Sequence, residues 1–195
     1  MSCYKYWGKL EEIADKLLSY GDLDKYGDSE LDNESIEEII KVFDDVEIIA
    51  HDNTIDFDSA KHILDDEKMN NILKLIRRFY LYVGSRLETE NALKILESDN
   101  PTETLDSFHF YDRYIGLIEN ESRLAKFNEN KTFLFLGSGP LPLTLIMFNK
   151  VFGCKCIGIE QQEDVANLSR KVLKKLGLDS DIEIEIGRAS CRERV

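Results

Sequence analysis

The sequence predicts an α/β protein in which an all-helical domain precedes a domain of alternating strands and helices. Apolar residues recur at three-to-four spacing through residues 1–130, which is the period of an amphipathic helix. From residue 131 onward, short apolar runs alternate with helical patterns, as in βαβ units. The first of these runs leads into the turn Gly137-Ser138-Gly139, and we place the domain boundary before that run, in the polar segment 128–131.

The all-helical domain carries recognisable helix start and stop signals. Ser35 and Glu38 form a capping box, which predicts that a helix begins at Ser35. Pro101 ends a long helical pattern, because proline cannot continue a helix interior. The predicted helices cover residues 4–20, 35–43, 67–96 and 111–127.

The second domain reads as three strands with two intervening helices. The strands are predicted at residues 132–136, 155–160 and 182–186, and the helices at 140–151 and 164–176, with Gly177 as a helix C-cap. Right-handed crossovers between successive strands predict a parallel sheet. Because a parallel sheet normally has further strands and cover on both faces, we interpret this domain as incomplete at its C-terminal end and the chain as truncated.

Residues 187–195 are rich in arginine and do not continue the strand pattern. We interpret them as a non-native tail left by cloning or sequencing. A short basic interaction arm is the alternative. The predicted organisation is therefore a helical lid or substrate domain at 1–130, the start of a ligand-binding domain at 131–186, and a tail at 187–195.

The glycine turn is the candidate ligand site. Gly137 and Gly139 allow a sharp turn and a close approach of the backbone to a ligand, as in Rossmann-like domains. Pro140 and Pro142 lack N–H groups, so the loop has fewer donors for a pyrophosphate and suits a nucleoside without one. Glu160 ends the next strand, where a carboxylate accepts from ribose hydroxyls. These features indicate S-adenosylmethionine rather than NAD, and a turn that only connects two elements is the simpler alternative.

Composition and charge exclude several classes of partner. The 195 residues include 38 acidic and 25 basic side chains, and the net charge of −13 disfavours nucleic acids and anionic membranes. No apolar run approaches the roughly 20 residues that span a bilayer, and the N-terminus lacks the apolar core of a signal peptide. We therefore expect a cytoplasmic protein whose partners are small molecules.

The cysteines and histidines do not form a recognisable metal set. Cys154 and Cys156 are expected to share one face of a strand at a separation of about 6.5 Å, too far for a disulfide. The histidines His51, His62 and His109 are scattered along the chain. We expect no metal site.

Polar residues in the helical domain admit two interpretations. Glu88 and Glu90 lie on the long predicted helix, and residues 111–114 form an aromatic and polar cluster. Carboxylates on helices are usually solvated or paired, and tyrosines usually pack with their hydroxyl groups satisfied. Composition alone therefore favours a structural role over a catalytic one.

Three segments favour a catalytic role, because together they resemble nicotianamine synthase, particularly its archaeal members. They are the segment from Ile49 to Asp66, the segment from Ser107 to Tyr114, and Gly137-Ser-Gly-Pro-Leu-Pro-Leu-Thr144. The resemblance extends over residues 1–186. It implies a helical domain, a Rossmann-like domain of the class I S-adenosylmethionine transferase type, and transfer of the aminocarboxypropyl group of S-adenosylmethionine in place of its methyl group.

The resemblance also implies roles for individual residues. Glu88 would take the proton of the acceptor amine, and Tyr114 would fix the reacting geometry. The product would be a nicotianamine-type metal chelator, assembled in archaeal relatives from glutamate, with methylthioadenosine released and no metal held by the enzyme. S-adenosylmethionine would be bound by Gly137, Ser138, Gly139, Leu141 and Glu160.

Two rival functions and one departure from the family pattern remain at this point. A class I methyltransferase would share the loop and Glu160, and a non-catalytic helical interaction domain would need neither. The family usually carries Gly-Asp after its third strand, near the adenine, whereas this chain has Gly187-Arg188. We therefore expect weak S-adenosylmethionine binding and little turnover from the 195-residue chain.

Overall fold

The computed structural model describes residues 2–21, 31–52, 54–125 and 131–187. The chain divides into two compact units, Met1–Gly84 and Ser85–Val195. The division falls inside one long helix, so the helices that follow Gly84 belong to the same unit as the sheet. The boundary predicted near residue 130 marks where the strands begin, and as a division between domains it stays a prediction. The tail at 188–195 lies outside the described residues.

The first unit is helical, as predicted, but two of its helix starts differ from the prediction. Asp32 and not Ser35 is the N-cap of the second helix, because the Asp32 side chain accepts from the backbone N–H of Ser35 at 2.8 Å. A short third helix was not predicted, and Asp56 caps it in the same way through Ser59 N–H at 2.8 Å. The helices are α1 Ser2–Leu18, α2 Asn33–Ala50, α3 Phe57–Asp65 and the first part of α4 Glu67–Glu97.

The core of the first unit forms where α1 packs against α2 and α3. The predicted apolar stripe of α1 is buried there, including Leu10, Ile13 and Leu17. Ile39 and Phe43 of α2 are buried as well. No helix within the described ranges is long and apolar enough to cross a membrane.

The second unit contains the three predicted strands in the predicted order. The helix after the glycine turn begins at Leu143, three residues later than predicted, because Leu141 precedes Pro142 and a residue before proline disfavours the helical conformation. Gly177 caps the last helix with φ of +71°, as predicted. The elements after α4 are α5 Pro101–Asp106, α6 Tyr111–Ala125, β1 Phe133–Leu136, α7 Leu143–Phe152, β2 Cys156–Glu160, α8 Glu163–Leu176 and β3 Ile182–Ile186.

The sheet is parallel with strand order β1-β2-β3, which confirms the predicted α/β class. Its buried face joins α7 and α8 in one apolar core with Ile95 of α4 and Ile118 of α6. Side chains of the opposite face, such as Leu134 and Glu183, are exposed. The parallel register brings the carboxyl ends of all three strands to one edge, where Leu136 is paired with Ile159 and Glu160 with Ile186.

Gly158, in the middle strand, lets neighbouring elements pack directly onto the β2 backbone. A Cβ atom at this position would lie 2.7 Å from Leu145 Cδ1 of α7 and 2.8 Å from Ile184 Cδ1 of β3. It would also lie 2.9 Å from Ser138 Cβ in the glycine turn. The absence of a side chain at Gly158 therefore sets the distance between the turn and the sheet.

Gly158→Ala is expected to lower the free energy of unfolding by about 1–3 kcal/mol, because the added methyl group overpacks this junction. Urea unfolding measures the change. The matched control is Gly116→Ala on α6, where a Cβ atom meets nothing within 4 Å, and which should stabilise by about 0.8–1.0 kcal/mol through helix propensity. A Gly158→Ala protein as stable as wild type would show that the packing at this strand is loose.

Candidate active site

The glycine loop, residues 137–142, leaves the carboxyl end of β1 with two left-handed residues. Gly137 has φ of +78° and Gly139 has φ of +70°, and residues other than glycine rarely adopt this conformation. The N–H of Gly137 donates to the carbonyl oxygen of Ile159 at 2.7 Å, which continues the pairing of β1 with β2. The loop then turns away from the sheet, as the sequence predicted.

Glu160 joins the ends of the two strands. Its side chain is only 7% exposed, and its Oε1 accepts from the backbone N–H groups of Gln161 at 2.7 Å and Gln162 at 3.0 Å. Its Oε2 accepts from the N–H of Gly139 at 3.2 Å. Two carboxylate oxygens offer about four lone-pair sites, so acceptor capacity remains for a ligand hydroxyl group. Glu160 therefore shapes the glycine loop in addition to its predicted role toward a ribose.

A cleft of about 520 Å³ opens beside this carboxylate. It lies at the carboxyl ends of the strands, where open α/β sheets bind their ligands, and its volume is in the range of small-molecule sites. Its lining residues are Leu136, Gly137, Ile159, Glu160, Gln161, Gln162 and Gly187.

Glu88 of α4 approaches the glycine loop at Gly139. Its Oε2 would be 2.9 Å from a Cβ atom built on Gly139, so the carboxyl group rests against the bare backbone. Burial raises the pKa of Glu88 to about 7, and a loose hydrogen bond of 3.4 Å from Tyr114 Oη to Glu88 Oε1 opposes that rise. A carboxyl group that titrates near neutrality is suited to take a proton from an amine.

The predicted tyrosine cluster divides between two partners. Tyr114 is hydrogen-bonded to Glu88, whereas the hydroxyl group of Tyr111 lies 3.3 Å from Lys150 Nζ on α7. Burial and a hydrogen bond with Asp106 raise the pKa of Tyr111, and Lys150 opposes the rise. Only the second tyrosine of the cluster therefore contacts the carboxyl group with which it was predicted to act.

The two remaining predicted ligand residues are buried in different surroundings. Ser138 is 6% exposed, and its hydroxyl oxygen is buried without a hydrogen-bond partner among the residues that the structure describes. The Leu141 side chain belongs to the apolar core with Leu143 and Ile184. Leu141 thus anchors the loop to the core, and its contact with a nucleoside stays a prediction.

Gly139→Ala is expected to harm the protein more than Gly137→Ala. Both substitutions place a side chain in the left-handed region, at about 1–2 kcal/mol each, but only the Cβ atom at Gly139 would collide with Glu88 Oε2. The difference between the two variants in unfolding free energy therefore isolates the contact between Glu88 and the loop. Equal losses in urea unfolding would mean that Glu88 moves aside freely.

The predicted separation of the two cysteines was wrong. Cys154 Sγ and Cys156 Sγ are 3.7 Å apart, not about 6.5 Å, because Cys154 lies in the turn before β2 and is not part of the extended strand. Both thiols are buried and free, and burial raises the pKa of Cys156. Across the described ranges, no group of three or more histidine, cysteine or carboxylate side chains could hold a metal ion.

A larger cavity, of about 830 Å³, lies within the first unit between α1 and the start of α4. Its lining includes Asp15, Asp66 and an ion pair between Lys68 and Glu11. It has neither a glycine turn nor the carboxyl end of a strand. We therefore assign the candidate site to the smaller cleft, which the glycine loop and the Glu160 carboxyl group border.

Two residues of this region were missed in the sequence. Gly158 could have been noticed as a glycine inside a strand, which often marks a close backbone approach. Asn91 lies three residues after Glu88 on α4, so the two share a helix face. Its spacing from Glu88 was the available signal.

Comparison with known proteins gives one consistent result. The family described as "Nicotianamine synthase protein" matches residues 20–183. A crystal structure of MtNAS in complex with MTA and tNA is 44% identical with a TM-score of 0.80, over 93% of this chain and 66% of that chain. A glutamate-to-glutamine mutant of MtNAS in complex with S-adenosylmethionine is 42% identical with a TM-score of 0.78, over 93% and 65%.

This chain therefore spans slightly less than two thirds of the length of MtNAS. An alkylsulfatase of Acinetobacter baylyi is 23% identical over 99 residues, which are 51% of this chain and 29% of the relative. This similarity is too low to indicate a shared family. The resemblance drawn from the three segments is confirmed, while the narrower likeness to archaeal members stays a prediction. The chain belongs to the nicotianamine synthase family.

Proposed function

We propose that the full-length protein is an aminocarboxypropyl transferase of nicotianamine synthesis with S-adenosylmethionine as its substrate. The observation that carries this proposal is the partly buried Glu88 carboxyl group, which lies against Gly139, accepts from Tyr114 Oη at 3.4 Å, and has a pKa raised to about 7. Glu160, which accepts from the N–H of the same glycine, borders the cleft proposed for the nucleoside.

The proposed reaction begins when the acceptor ammonium donates to the Glu88 carboxylate, which then takes one proton. The freed amine attacks the γ-carbon of the aminocarboxypropyl group. The carbon–sulfur bond breaks, and methylthioadenosine leaves with the bonding electron pair. Tyr114 orients the carboxyl group, since its hydroxyl group is within reach of Oε1. The glycine loop and Glu160 hold the nucleoside, so the sulfonium is fixed in line with the amine.

The family relatives support this assignment. MtNAS has been crystallised with S-adenosylmethionine and with MTA and tNA. We propose that this protein likewise binds S-adenosylmethionine and releases methylthioadenosine. The finer features of the proposal are a cytoplasmic location, glutamate as an acceptor, a metallophore-type product and no metal held by the enzyme, as in archaeal nicotianamine synthases.

The test is mass spectrometry of the full-length protein incubated with S-adenosylmethionine, with and without glutamate. Methylthioadenosine as the nucleoside product is the expected result, and its dependence on glutamate would identify the acceptor. S-adenosylhomocysteine would mean methyl transfer and would remove the proposed roles of Glu88 and Tyr114. Failure to bind S-adenosylmethionine at all would favour a non-catalytic helical domain.

A further inference from the structure

Asn91 is a polar residue near Glu88 in the sequence that has no role in the proposed reaction. It lies one helical turn after Glu88 on α4, and residues at this spacing face the same way. The same face of α4 carries Ala92 and Ile95, which are fully buried in the apolar core of the second unit. Asn91 itself is only 8% exposed. An uncharged amide therefore lies on the same face of α4 as Glu88, next to residues of the apolar core.

The Asn91 amide oxygen is buried and has no hydrogen-bond partner in the part of the chain that the structure describes. Such a group lowers stability, because it has lost its hydrogen bonds to water and gained none in return. The Ser138 hydroxyl group is in the same condition and is adjacent in sequence to Gly139. One buried unsatisfied polar group thus lies near Glu88 in the sequence, and the other lies next to Gly139.

We propose that the side-chain amide of Asn91 binds the amino-acid end of a substrate. This inference rests on the proposed aminocarboxypropyl transfer. An amide carbonyl oxygen accepts from an α-ammonium group and an amide NH₂ donates to an α-carboxylate group, so one neutral side chain can recognise both. Neutrality matters at this position, because a charged residue one turn from Glu88 would shift the proton affinity of that carboxyl group.

Two substrates present this chemistry: the methionine part of S-adenosylmethionine and the acceptor amino acid. Methylthioadenosine distinguishes them, since it retains the nucleoside and lacks the amino-acid end. If Asn91 binds the donor, its loss weakens S-adenosylmethionine binding and leaves methylthioadenosine binding unchanged. If Asn91 binds the acceptor, both dissociation constants stay unchanged and the KM of the acceptor rises.

The experiment compares Asn91→Leu with wild type in the full-length protein. Leucine keeps the branching of asparagine at Cγ, is larger, and cannot form these hydrogen bonds. We expect a rise of about 10- to 100-fold in one of the substrate constants, while removal of an unsatisfied buried group offsets part of the stability that the larger side chain costs. Calorimetry with S-adenosylmethionine and with methylthioadenosine, and initial rates against acceptor concentration, separate the two cases. Asn91→Ala serves the same purpose should the leucine variant not fold.

Ser169→Ala is the matched control. Ser169 is fully buried and its hydroxyl oxygen also lacks a partner among the described residues, but it lies on α8, whereas Asn91 shares a face of α4 with Glu88. Its loss should change no substrate constant. A lower Tm for Asn91→Leu with every substrate constant unchanged would overturn the proposal, since the amide would then be structural. Failure of the proposed function would instead show in wild type, as absence of S-adenosylmethionine binding or of methylthioadenosine.

Discussion

Replacing Glu88 with glutamine is expected to lower turnover about 100-fold or more and to leave S-adenosylmethionine binding nearly unchanged. Glutamine preserves the shape of the side chain that rests against Gly139. It can still accept a hydrogen bond from Tyr114, but it cannot take a proton from the acceptor amine. Initial rates of methylthioadenosine release by the full-length protein measure the effect.

The pH dependence of the rate identifies Glu88 more specifically. Because the pKa of Glu88 is raised to about 7, the wild-type rate should increase as pH rises through neutrality and the carboxylate form accumulates. Glu88→Gln should lack that increase. The control is Glu90→Gln on the same helix, which breaks only a partly exposed ion pair of 2.9 Å with Arg86. An increase retained in Glu88→Gln would place the proton acceptor elsewhere.

The same substitution is expected to stabilise the fold at pH 8 by about 3 kcal/mol relative to wild type. The folded-state pKa of Glu88 is about 7, above its ordinary value of 4.5, so the folded protein binds this proton more tightly than the unfolded chain does. The stability contributed by the neutral form is complete below about pH 4.5 and is lost as pH rises through 7. Glutamine stays neutral, so the variant does not lose this stability as pH rises from 4.5 to 8.

Urea unfolding at pH 4.5 and pH 8 tests this expectation. The two proteins should be equally stable at the lower pH and separate at the higher one. Glu90→Gln should change stability by less than about 1 kcal/mol at both values, as a surface ion pair would. A Glu88→Gln protein that is no more stable than wild type at pH 8 would mean that water reaches the carboxyl group and that its burial is incomplete.

The features that the sequence predicted correctly are those set by local pattern. The strand 182–186 alternates strictly and was predicted with its observed bounds, and Gly177 marked a helix end through its left-handed conformation. The parallel sheet followed from strands separated by helices. The helix after the glycine loop was predicted to begin at Pro140, because proline suits the first turn of a helix, whereas here the loop continues to Pro142.

The candidate site was predicted only where residue type and family pattern coincided. Glu88 and Tyr114 are far apart in sequence, and the resemblance, not any spacing, associated them before the structure brought them within 3.4 Å. The raised pKa of Glu88 depends on burial, which no local pattern encodes. For Asn91 the sequence offered only its spacing from Glu88, whereas its burial without a hydrogen-bond partner among the described residues is visible only in the structure.

Gly139 is approached by two carboxyl groups, since Glu160 accepts from its N–H at 3.2 Å and Glu88 occupies the place where a side chain at this position would begin. Any ligand that displaces this glycine while bonding to Glu160 must therefore alter the surroundings of Glu88 and hence its affinity for a proton. Thermodynamic linkage makes the effect reciprocal: protonation of Glu88 must then change the affinity for that ligand by the same factor. If the proposed site holds a nucleoside, one residue without a side chain would thus couple its occupancy to proton uptake by Glu88.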